Sequence, residues 1–127
     1  MKYLIKTVKW IPAIFIGCCS WYLSSQPHIE HMPSFWNADK LVHLVCFGVF
    51  AFWTAFACNI KSPGKLWIPS LIISLYGIAD EIHQSFTPGR SSSVFDWAFD
   101  TAGAVLGSLC WILLITAINK KKSGKNN

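Results

Sequence analysis

The sequence predicts an all-α polytopic membrane protein, a bundle of four transmembrane helices with both termini in the cytoplasm. Three observations lead there. Of 127 residues, 53% are hydrophobic and 13% charged, against about 25% charged in an average soluble domain. The apolar residues fall into four long continuous blocks, and a span needs about 20 of them to cross roughly 30 Å of hydrocarbon. The cations gather on one side of those blocks. The length allows one domain, and the composition excludes disorder, a coiled coil and a disulfide-stapled secreted fold. Strands are excluded because the blocks do not alternate and are too few to close a barrel.

The first block runs from about Val8 to Leu23 and follows Lys2, Lys6 and Lys9. Basic residues before an apolar stretch resemble a signal peptide. No A-x-A-like site follows near Ser24-Ser25, and Phe15-Ile16-Gly17-Cys18 is a poor lipoprotein box because Phe stands where a smaller aliphatic residue belongs. An uncleaved signal-anchor helix is expected. This block and the third are short, so each should reach into the interface. Trp10, Trp21, Trp36, Trp67 and Trp97 lie near block ends, where indole rings favour the headgroup level.

The second block, Leu41 to Ile60, opens with Asn37-Ala38-Asp39-Lys40-Leu41-Val42-His43. Asp39 and His43 are four apart and share a helix face. Asn37 or Asp39 alone reads as an N-cap. The triplet Asp39, Lys40 and His43 reads as function, because an ionisable group inside a span is costly. The turn at 61–65 carries Lys61 and Lys65.

The third block, Leu66 to about Ile82, ends in Asp80-Glu81-Ile82-His83-Gln84-Ser85-Phe86-Thr87-Pro88-Gly89-Arg90. Gln84 is one turn from both acids. Thr87-Pro88-Gly89 stops the helix and turns the chain. Arg90 presents a planar fork suited to carboxylate or phosphate. An interfacial helix end with a snorkelling Arg explains Arg90 and His83, but not two adjacent acids with a Gln on the next turn.

The fourth block, Val94 to Ile118, follows Ser91, Ser92 and Ser93. Ser93 and Asp96 fit a capping box. Asp100 lies one turn deeper, where no cap explains it. Gly103 and Gly107 continue the same stripe as a GxxxG packing surface for another helix. This helix is expected at the centre of the bundle, its carboxylates pointing inward. Residues 119–127 form a basic cytoplasmic tail with Lys120, Lys121, Lys122 and Lys125.

Nine lysines thus lie on one side, and only Lys40 and Arg90 on the other. The positive-inside rule puts the nine in the cytoplasm, so topology and anionic headgroups explain the net charge of +5 and nucleic acid is not an expected partner. Glu30, Asp39, Asp80, Glu81, Asp96 and Asp100, with His28, His31, His43 and His83, all fall on the opposite side. Acids barely affect insertion, so this second asymmetry points to chemistry in the outer half. The five cysteines, Cys18, Cys19, Cys46, Cys58 and Cys110, all lie within the blocks and read as buried free thiols acting as small hydrophobes.

Five acids of the three clusters face two cations, an excess of about three negative charges, and close carboxylates in low dielectric cannot all stay ionised alone. Protons, a divalent cation or a cationic ligand would relieve them. Oxygen donors suit Mg2+ or Ca2+, and added His suits Zn2+, but no tight metal spacing is present and no cofactor is specified. No G-x-S-x-G, Walker loop or Cys–His pair occurs.

The three clusters, in this order, resemble the VanZ-like family of small membrane proteins. The matching pieces are Asp39-Lys40-x-x-His43, then Asp80-Glu81-x-x-Gln84-x-Phe86-x-Pro88-Gly89-Arg90, then Ser93-x-x-Asp96-x-x-x-Asp100-x-x-Gly103-x-x-x-Gly107, over roughly residues 35 to 115. The family usually has Asn where this chain has Asp100, which implies a proton or a metal at that position here. The family name comes from a protein associated with resistance to the glycopeptide teicoplanin. The resemblance implies a membrane location and a polar site, and not a reaction.

The leading functional expectation is a cell-envelope protein in the inner membrane. Its outer polar site engages a lipid-linked or amphiphilic ligand. Glu81, Gln84 and Arg90 would bind it, with Asp39, Lys40 and His43 opposite and Asp96 and Asp100 beneath. A catalytic version uses Glu81 or Asp96 as general base with His43 as partner. A structural alternative has the polar residues lock the helices of an accessory subunit. An ion- or proton-coupled transporter is the third class; it lacks an internal repeat and would need an oligomer, which the sequence leaves open.

Overall fold

The computed structural model describes residues 1–27, 34–35 and 37–125. His28, Glu30, His31 and Trp36, four of the residues weighed above, lie outside the described residues. All regular structure among the described residues is helical: α1 (Lys2–Val8), α2 (Ile11–Ser24), α3 (Ala38–Ala57), a 3-10 turn at Pro63–Lys65, α4 (Trp67–Ser85) and α5 (Val94–Lys125).

The boundaries follow local chemistry. Pro12 lacks an amide hydrogen and sits in the first turn of α2, so the hydrogen-bond ladder is interrupted at Lys9–Trp10. Both residues of the break keep right-handed helical angles, and Tyr3–Ser24 runs on as one 22-residue apolar rod. It begins before the expected Val8. The end of α3 is a Schellman motif. Asn59 takes the left-handed conformation with φ 55°, its amide donates to Phe56 O, and the Ile60 amide donates to Ala55 O at 3.1 Å. Buried Ile60 then packs with Ala55 and Ile112. The helix therefore stops at Ala57, not at the expected Ile60, and starts at Ala38, before the expected Leu41. Thr87-Pro88-Gly89-Arg90 forms a type II turn, with Gly89 at φ +78° and the Arg90 amide donating to Thr87 O.

Among the described residues, three helical segments are long and apolar enough to cross a membrane: Tyr3–Ser24, Ala38–Ala57 and Val94–Lys125. The third expected span, α4, has 19 residues, but its polar C-terminal end, with Asp80, Glu81, His83 and Gln84, lowers its hydropathy. Those acids are turned into the bundle: Asp80 and Glu81 are buried. The outer surface is correspondingly apolar, with Phe15, Leu75 and Leu113 among many exposed large side chains. A large contiguous apolar surface marks an interaction site or a membrane face.

The most extensive helix pairing is α3 with α5. Helix α2 packs only lightly on α3 and α4, whereas α5 packs extensively on both. Gly103 and Gly107 explain its intimacy with α3. A Cβ on Gly103 would collide with Leu44 O, and one on Gly107 with Gly48 O. The GxxxG stripe is thus occupied within the chain. Phe47, Phe50, Ala51, Ile73 and Ala104 form the mid-bundle core with Ala13.

The cysteines differ from expectation. Cys18, Cys19, Cys46 and Cys110 are exposed on the bundle surface and Cys58 is half-buried, because the core facing α3 and α4 is taken by small and aromatic side chains instead.

Candidate functional site

The end of α2, the start of α3, the end of α4 and the start of α5 meet at one end of the bundle. Trp111 Nε1 donates to Ile60 O at the opposite end, where Lys9 also lies over the Phe56 ring. The two ends thus differ in charge as the sequence implied.

At the polar end the acids are buried: Asp80 is 1% exposed, Glu81 7%, Asp96 7% and Asp100 0%, with Gln84 at 3%. Their contacts join all four corners. His43 Nδ1 on α3 lies 2.8 Å from Asp100 Oδ1 on α5. Lys40 Nζ lies 3.6 Å from Asp96 Oδ1. Gln84 Nε2 donates to Ser24 Oγ at 3.2 Å and to Asp80 Oδ2 at 3.3 Å. The backbone amide of Ser93 donates to Glu81 Oε2 at 2.9 Å.

That last bond corrects the expected capping box. Ser93 Oγ does accept from the Phe95 amide, so half of the box exists. The reciprocal acid is Glu81, reaching from α4, and Asp96 instead faces Lys40. The change frees Asp96 for the site and ties the loop at 91–93 to α4. Asn37, at the start of α3, takes φ 58° and makes no side-chain cap bond, so it is a turn residue only.

Asp39 departs from its expected place. It is exposed and pairs with its neighbour Lys40 at 3.2 Å, while His43 on the same face turns inward to Asp100. The i, i+4 spacing brings the two onto one side of α3, but Asp39 occupies the first turn, at the rim of the bundle. The remaining expected residues, Lys40, His43, Glu81, Gln84, Asp96 and Asp100, do converge.

Arg90 reaches a different part of the same end. It lines a cavity of about 290 Å³ with His43, Asp80 and Gln84. The rest of the lining is largely apolar and comes from α2 and α3, including Phe15, Leu23, Val45 and Val49. This is a groove between two helices, greasy along its length and polar at its head. Arg90 makes no ion pair with a described residue within 4 Å.

Sequence reasoning missed three participants. Ser24 accepts from Gln84 through its hydroxyl, and from Thr87 Oγ1 through its carbonyl at 3.1 Å. Thr87 thereby anchors the turn that presents Arg90. Gly77 leaves room for Asp100: a Cβ there would stand 3.2 Å from Asp100 Oδ2 and 3.4 Å from the Phe47 ring. Gly77 lies one helical turn before Asp80 and Glu81, and that spacing was the available signal.

His83, by contrast, stacks on Trp21 with centroids 4.1 Å apart and hydrogen-bonds Ser25 Oγ at 2.8 Å. It stands outside the acid cluster.

Four carboxylate oxygens in this cluster are buried without a hydrogen-bond partner: Asp80 Oδ1, Glu81 Oε1, Asp96 Oδ1 and Asp100 Oδ2. Buried polar atoms are normally satisfied, and charged ones left alone cost several kcal/mol, on the order of the desolvation penalty. This concentration makes the cluster the candidate site.

A family model described as VanZ/LLP1 matches residues 3–115 of the chain. No curated protein and no solved structure matches it.

Proposed function

The chain belongs to the VanZ/LLP1 family, and from that premise, its membrane-length apolar helices and its polar head we propose a cell-envelope membrane protein that binds a lipid-linked or amphiphilic ligand. The groove between α2 and α3 carries this reading. Its apolar length suits an acyl or prenyl chain, and Arg90, Gln84 and His43 at its head suit an anionic headgroup. Ligand sites combine this same mostly apolar lining with a few placed polar groups.

The proposed placement is the inner membrane, with both termini and the 61–65 turn cytoplasmic and the polar head on the outer side. The lysine distribution supports it. Proteins of the family name are linked to teicoplanin resistance, so glycopeptide susceptibility of a deletion strain is the phenotype to score first.

The test is complementation at matched membrane abundance. Arg90→Ala and Glu81→Gln should each fail to restore the deletion phenotype. Arg90→Ala should also lose at least tenfold of the lipid that co-purifies with the wild type in native mass spectrometry. Full complementation by both variants would sink the ligand site.

A second reading, an accessory protein whose polar groups only lock its helices, is favoured by the interhelical bonds Ser74–Thr101 and Ser70–Ser108. These lie away from the cluster, in the packed α4–α5 seam. The locking reading predicts that the same two substitutions lower abundance instead of function.

A further inference from the structure

We propose that His43, Glu81 and Asp100 form a binding site for one divalent transition-metal ion, Zn2+ or Mn2+. One donor atom from each of the three residues lies within 4.8 Å of the other two. The three come from α3, α4 and α5, so the site closes only in the folded bundle. Zinc bonds of about 2.1 Å put tetrahedral ligand pairs roughly 3.4 Å apart. The donors therefore need to close by up to about 1.4 Å.

A second, independent observation points to the same place. Glu81 uses Oε2 for the Ser93 amide and keeps Oε1 without a partner. Asp100 uses Oδ1 for His43 and keeps Oδ2 without a partner. Both residues are more than nine-tenths buried. Of the two neighbouring buried acids, Asp80 holds an unpartnered oxygen, and Asp96 Oδ1 has only the 3.6 Å ion pair with Lys40. Lys40 is the one described cation paired into this group of four acids. A dication bound by a neutral imidazole and two carboxylates removes two of the excess negative charges without adding a side chain.

The donor chemistry selects the ion. Imidazole suits zinc and its transition-metal neighbours, whereas magnesium and calcium sites are built from oxygen. Three protein ligands leave a coordination position open, the arrangement of reactive rather than structural zinc sites. Glu81 also lines a cavity of about 340 Å³ on the loop side, together with Ser92 and Ser93. The site stands whether or not the α2–α3 groove holds an amphiphile.

The experiment uses the full chain, purified in detergent without a histidine tag and stripped with chelator. Equilibrium dialysis against ZnCl2, MnCl2 and MgCl2, read by elemental mass spectrometry, should give one saturable Zn2+ per chain. Mn2+ should bind more weakly and Mg2+ at least tenfold more weakly than Mn2+. Glu81→Gln and Asp100→Asn preserve shape and should each weaken Zn2+ binding about ten- to a hundredfold, while His83→Ala leaves it unchanged. Because those variants can misfold, Co2+ added to the wild type is the second readout. It should give visible bands of a low-coordinate nitrogen–oxygen site that Zn2+ bleaches stoichiometrically. Absence of saturable binding and of those bands, or equal binding by both well-folded variants, or equal affinity for Mg2+, overturns the metal site.

Discussion

Asp100 has no exposed surface and rests on a single partner, His43. Removing that partner by His43→Ala leaves a buried carboxylate uncompensated, which should cost about 3–5 kcal/mol, read as thermal unfolding in detergent. The double replacement His43→Phe with Asp100→Leu should recover most of that loss, since apolar pairs of similar volume often match a buried ion pair. Additive losses in the double variant would show that the two residues are not energetically coupled. At this scale the sequence was informative about depth and poor about direction. Asp100 stood out because nothing at a helix start explains an acid in the second turn. Asp39 stands at the rim and not in the cluster, because helical spacing gives a shared face but not what lies opposite it. The Glu81–Ser93 bond was illegible because it depends on how the 86–93 loop returns.

The α3–α5 seam shows how an element is specified by what is missing. Two glycines on α5 admit the backbone of Leu44 and Gly48, so the helices approach more closely than any side chain would allow. Gly107→Val should therefore abolish the bundle, read as loss of membrane abundance and of monodispersity. Gly77→Ala is a milder test. Its Cβ meets Asp100 and Phe47 at 3.2–3.4 Å, an overpacking that should cost about 1–3 kcal/mol and shift the acid cluster. A Gly77→Ala protein as stable as wild type would show that the neighbours yield freely. The glycine stripe was legible from sequence, although its partner was not: GxxxG does not say whether it meets a second copy or the same chain. Helix ends were readable where their chemistry was recognised. Pro88-Gly89 was, whereas Asn59-Ile60 was passed over as part of an apolar run, although Asn is second only to Gly in accepting that backbone conformation.

For the whole molecule, charge separation was the strongest signal in the chain, because topology is set by lysines whatever the tertiary packing. The proposed orientation can be read directly. In a background with the five native cysteines replaced, Ser92→Cys should react with an impermeant maleimide in intact cells. Lys65→Cys should react only after permeabilisation. The reverse pattern would invert the molecule and place the acid cluster in the cytoplasm. The number of crossings was less legible. By composition α4 is the least apolar of the four segments, since its polar face is hidden by packing that hydropathy does not register.

Helix α5 has 32 residues, about 48 Å at 1.5 Å per residue. It continues without interruption through residues 119–125 of the expected basic tail. The seven helical residues beyond Ile118 add about 10 Å, close to one screening length in 0.1 M salt. Lys120, Lys121, Lys122 and Lys125 are therefore set around a stiff stalk. A loose tail would let every ammonium group settle among anionic headgroups, but a stalk grades them by height. In the proposed orientation the innermost lysines would act as a collar that fixes how deep the helix sits, and Lys125 would stand off the surface and resist any further descent.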